Sequence, residues 1–70
     1  MLLTPNNTRA FVQALLPEGF HPERSTIFQG NQPIADIVVN EAGVYINSIH
    51  FPYGDIPEKR IEGLRRWLSR

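Results

Sequence analysis

Seventy residues, with seven basic and seven acidic side chains and no cysteine, make one small domain of zero formal charge. This composition excludes disulfide staples and thiolate zinc sites, and it sets up no global field toward nucleic acid or membrane. A chain this short builds a marginal core, and such domains often recover stability by associating.

No apolar run approaches the roughly 20 residues of a membrane span. Met1-Leu2-Leu3-Thr4-Pro5 lacks the basic and apolar regions of a signal peptide, so a cytoplasmic protein is expected. Charge is unevenly spread along the chain. Asp36, Glu41 and Asp55 make the middle mildly acidic, whereas Lys59, Arg60, Arg65, Arg66 and Arg70 outnumber Glu58 and Glu62 at the end.

Thr4 reads as an N-cap with Pro5 at the first helical position, opening a helix over Pro5 to Leu16. Phe11 and Leu15, with Thr8 and Val12 beside them, give it a narrow apolar stripe. Pro17 ends it. Pro17-Glu18-Gly19-Phe20-His21-Pro22 reads as a stiff connector, with Phe20 as its anchor to the core. Ser25 to Gln29 reads as a first strand and Gly30 to Pro33 as the turn after it.

Ile34 to Phe51 is rich in β-branched and aromatic residues and reads as a two-stranded hairpin. Asn40-Glu41-Ala42-Gly43 suits a type I turn closed by a left-handed glycine. That turn sets Asn40 opposite Val44 and Val38 opposite Ile46. One face then carries Ala35, Ile37, Val39, Tyr45, Ile49 and Phe51, and the other Ile34, Val38, Val44 and Ile46. A four-residue loop would instead pair Val39 with Val44 and exchange the faces of one strand relative to the other. Both faces are apolar in either register.

After Pro52-Tyr53-Gly54, Asp55 heads a second helix with Glu58 as its capping-box partner. Ile61, Leu64 and Leu68 form its buried face, flanked by Trp67, and Gly63 costs it about 1 kcal/mol relative to alanine. The expected fold is a single α+β domain over residues 1–70. It is a two-layer α-β-β-β-α arrangement, a three-stranded antiparallel meander with two helices packed on one face. Double-stranded-RNA-binding domains share this order. They carry a run of lysines at the start of the last helix, where this chain has Asp55-Ile56-Pro57-Glu58-Lys59-Arg60 with carboxylates in the phosphate-binding place, so the order alone is similar and the family is not assigned.

Two helices on one face would leave the other sheet face open. An open apolar face marks an interaction surface. Val38, Val44, Tyr45 and Ile46 are the expected protein-binding residues, with Phe28 at an edge available for strand pairing. The expected function is that of a small non-enzymatic adaptor, inhibitor or regulator, binding a larger protein or a second copy of itself. The alternative is a nucleic-acid accessory protein whose helix tracks phosphates through Lys59, Arg60, Arg65, Arg66 and Arg70. Acidic residues at a helix start and basic ones at its end also suit the helix dipole, which needs no ligand.

Chemistry is thinly represented. His21 and His50 are isolated, without metal-ligand spacing, and Ser25, Ser48 and Ser69 lack nucleophile-elbow glycines. The glycines never cluster into a phosphate cradle. No catalytic residue, metal, cofactor or small-molecule substrate is expected.

Overall fold

The computed structural model describes residues 1–69. Along the chain run β1 (Leu2–Leu3), α1 (Thr8–Leu15), β2 (Phe20–Glu23), β3 (Thr26–Gln29), β4 (Gln32–Asn40), β5 (Gly43–Ile46), β6 (Ile49–Pro52), β7 (Gly54–Asp55) and α2 (Glu58–Leu68). Strands β2 to β6 form one five-stranded antiparallel sheet in sequence order, and β1 pairs with β7 in a separate two-stranded ladder. The α+β class and the two helices match the expectation. The three-stranded meander is corrected to five strands, for two local reasons.

The first is the connector after α1. Pro17 and Gly19 turn the chain, with the Phe20 amide donating to the Pro17 carbonyl at 3.2 Å and Gly19 at φ 92°. The chain then continues as β2, a sheet-edge strand, where Pro22 is tolerated because its missing donor faces no partner. The second is the stretch taken as one strand from Val44 to Phe51. It folds back at Asn47-Ser48, which sit at φ 50° and 72°, the left-handed pair of a type I′ turn. Each pair of neighbouring strands is closed tightly: Glu23 opposes Thr26, Gln29 opposes Gln32, Asn40 opposes Gly43 and Ile46 opposes Ile49.

The β4–β5 register is the alternative one, with Val39 paired to Val44. Val38 lies opposite Tyr45 and Ile37 opposite Ile46. The Asn40 side chain closes the turn by accepting from the Ala42 amide at 2.8 Å. Asn40 therefore faces Gly43, not Val44, and the two strands' faces are exchanged relative to the first expectation. Val44 and Ile46 turn to the core with Ala35 and Phe51, while Tyr45 turns to the open face.

Both helices cover that core side. Phe11, Val12 and Leu15 of α1 and Ile61, Leu64 and Leu68 of α2 join Ile27, Ala35, Val44, Ile46 and Phe51 in one buried cluster. Phe11 meets Phe51 edge to face at 5.8 Å between ring centroids, a favoured aromatic geometry. Leu3 and Ile56 close the end of the cluster through the β1–β7 ladder, where the Ile56 amide donates to the Met1 carbonyl at 2.7 Å.

Both helix starts lie later than expected. Thr4 to Asn7 forms a turn, with the Thr4 amide donating to Asn7 Oδ1 at 2.7 Å and Asn7 Nδ2 to the Leu2 carbonyl at 2.8 Å. These local side-chain bonds compete with helix, which begins only at Thr8. Asp55 is engaged in β7 opposite Leu2, so the capping box with Glu58 does not form and Pro57 precedes α2.

Gly43 sits at φ 134°, and a Cβ there would collide with the Phe51 carbonyl and Pro52 Cα. Gly43→Ala should cost about 2–4 kcal/mol in urea unfolding, within the range of backbone-strain substitutions. Ser48→Gly should instead stabilise by about 0.5–1 kcal/mol, since glycine relieves the left-handed strain and returns part of the gain as unfolded-state entropy.

Candidate protein-binding edge

The expected contact residues separate into two groups. Val44 and Ile46 are fully buried beneath the helices, so the corrected register removes them from the open face. Val38, Tyr45 and Phe28 remain on the side away from the helices, but β3 lies between β2 and β4, so Phe28 is not on the edge strand expected for it. Phe28 stacks on His21 at 5.6 Å and Tyr45 on His50 at 4.4 Å, each pair bridging adjacent strands. The His50 ring also bonds the Ala42 carbonyl at 2.8 Å, which fixes the second pair against the β4–β5 turn. The open face is therefore aromatic and polar around Asp36 and Asn40, with one bare aliphatic, Val38, 52% exposed.

His21 and His50 lie on the two outermost strands of the sheet. Four strand spacings separate them, roughly 19 Å, so they do not share a site. No group of three His, Cys, Asp or Glu that could hold a metal occurs among the described residues. Nor is any helix among them long and apolar enough to cross a membrane.

The residue that sequence reasoning missed is Val39. Strand β4 is nine residues long, but β3 pairs with it only as far as Asp36. The Ile37 amide makes one further bond to the Ser25 carbonyl at 2.8 Å, and there the chain turns away through Arg24-Ser25. Backbone polar groups alternate in direction along an antiparallel strand. With Ile37 pointing toward β3 and the Asp36 carbonyl accepting from Asn47 on the β5 side, the Val39 N–H and C=O point out over the missing end of β3. No strand pairs there among the described residues.

The result is a step in the sheet. Val38 and Val39 are both about half exposed, at 52% and 50%, on opposite faces of one strand whose backbone edge is also open. On the helix side the step borders a cleft of about 230 Å³ against α1, and on the other it borders a shallower hollow that includes Asp36 and Tyr45. The sheet's other edges are blunted. Pro22 sits in β2 and Pro52 in β6, and the Arg60 guanidinium donates to the His50 carbonyl of β6.

Two of the basic residues of α2, Arg60 and Arg65, have structural partners. Arg65 donates through Nε to the Leu15 carbonyl and through Nη2 to the Ala14 carbonyl, each at 3.0 Å. It thereby satisfies carbonyls at the end of α1 that have no intrahelical donor. Glu62 lies 3.7 Å from the same guanidinium. Arg60 lies over the Phe51 ring at 5.2 Å. Lys59 and Arg66 have no such partner among the described residues, and Arg70 lies outside them.

No family model, curated protein or solved structure matches the chain, and the geometry alone carries the functional argument. Arg65→Ala should lower stability by about 1–3 kcal/mol, because two helix-end carbonyls lose a charged donor. Lys59→Ala should stay within about 0.5 kcal/mol of the parent in the same urea titration.

Proposed function

We propose that this chain is a small non-enzymatic protein-interaction module that accepts an extended segment of a larger protein along the open edge of β4. The observation that carries the reading is the step at Val38-Val39, where an unpaired backbone edge and two exposed aliphatic side chains coincide. Strand addition uses both features. Main-chain bonds to Val39 supply affinity, and alternate side chains of the incoming segment meet the two faces of the sheet. Val38 and Tyr45 flank the segment on the open face, with Phe28 further along it. An adaptor, inhibitor or regulator working by occlusion needs no more than this.

The test is Val39→Pro. Proline removes the outward N–H and leaves the β5 ladder intact, because the Val39 donor does not face β5. Partner capture from the source cell should be lost, with the urea midpoint and circular dichroism close to those of the parent. Hydrogen exchange on the captured complex should show the Val39 amide newly protected. Capture that survives Val39→Pro, or a Val39 amide still exchanging freely in the complex, would remove the edge from the account.

A further inference from the structure

The cleft beside this edge has a chemical character of its own. Val12 of α1 and Ile37 and Val39 of β4 form its apolar floor, and Arg9 and Arg24 stand at its rim. Neither arginine has a carboxylate within ion-pairing distance; the two ion pairs among the described residues are Met1–Asp55 and Glu62–Arg65. Arg24 is also held on the β2–β3 turn at φ 56°, a conformation that glycine or asparagine adopts more easily. On the opposite face the same step is bordered by Asp36.

From this asymmetry, and resting on the strand-addition reading above, we infer that the occupant of the edge is an acidic extended segment of a partner protein. Its carboxylates project on one side only, toward Arg9 and Arg24. Side chains of an added strand alternate between the two faces. Those entering the helix-side cleft meet an apolar floor ringed by two guanidinium groups, so an aspartate or glutamate there gains charge-assisted hydrogen bonds. Those on the other side meet Asp36 and Val38, where a carboxylate is repelled and a neutral or apolar residue is favoured. The preferred segment therefore has acidic residues at alternate positions, with uncharged residues between them.

A display library of random ten-residue peptides, panned on the intact protein, tests this directly. Selected sequences should be enriched in Asp and Glu at every second position. A synthetic copy of one winner should bind about tenfold or more tightly than its Glu→Gln, Asp→Asn counterpart at low salt, as expected for one or two charge-assisted contacts. The double variant Arg9→Ala/Arg24→Gly should erase that difference; glycine at position 24 suits the turn, so the fold is retained. Enrichment of neutral or basic peptides, or a winner indifferent to the arginine variant, would overturn the acidic preference. Strand addition would stand in that case if Val39→Pro still abolished binding. No selected peptide at all, or winners that bind Val39→Pro unchanged, would sink both.

Discussion

The arrangement depends on one close approach, that of the Gly43 backbone to the Phe51 carbonyl and Pro52 Cα. Residues 34 to 51 are apolar at odd and even positions alike, so burial energy alone scarcely distinguishes one register from its neighbour. Sterics do. With only glycine able to enter that space, Gly43 is opposite Pro52, which fixes the register of β5 on β6. Everything downstream follows from this pairing. Val44 opposes Phe51, Phe51 receives Phe11 from α1, and Arg60 of α2 lies over the same ring. A slip by one residue would turn one strand over relative to the other, so that Val44 and Phe51 would no longer share the core face beneath Phe11.

Much of the architecture is legible in the sequence, and the failures share a cause. The two helices, the strand at Thr26–Gln29 and the turn at Asn40–Gly43 follow from periodicity and turn chemistry. The turn at Asn47-Ser48 is obscured because its flanks are continuously apolar and the usual glycine is replaced by serine, which does not advertise a left-handed residue. Its one visible signal is a polar pair interrupting a run of isoleucine, valine and tyrosine. Strand β2 is hidden by Pro22, which argues against a strand everywhere except at a sheet edge. Two-residue strands such as β1 have no period to detect. Of the expected contact residues, Val38 keeps the face that alternation gives it, while Tyr45 changes sides with the register. Val44 and Ile46 were misplaced by the register, and Val39 depends on where a neighbouring strand stops, which no local pattern encodes.

The basic end of the chain shows how one composition admits two physical roles. A run of arginines on a short helix is equally suited to phosphates and to carbonyls. Here Arg65 reaches the exposed carbonyls at the end of α1, and Arg60 reaches the β6 backbone and an aromatic face. Arg65 ties α2 to α1 across fifty residues of sequence and Arg60 ties it to the neighbouring β6, which matters in a domain without disulfides. Two of the five basic side chains that suggested a nucleic-acid surface, Arg60 and Arg65, thus fasten α2 to the sheet and to α1.

The step in β4 arises from a mismatch between two hairpins. The β2–β3 hairpin reverses at Arg24-Ser25, level with Asp36, whereas the β4–β5 hairpin continues to Asn40. Sheets usually hide such overhangs with lysine, proline or a covering loop, and this chain places prolines in both outermost strands. At the overhang it places two adjacent valines, with α1 set back far enough to leave a cleft. Lengthening β3 by two residues would satisfy the Val39 backbone and cover both side chains, at the cost of moving Arg24 away from Arg9. The exposed edge and the paired arginines are thus consequences of the same turn position, which is why an occupant that pairs with the one is also placed to neutralise the other.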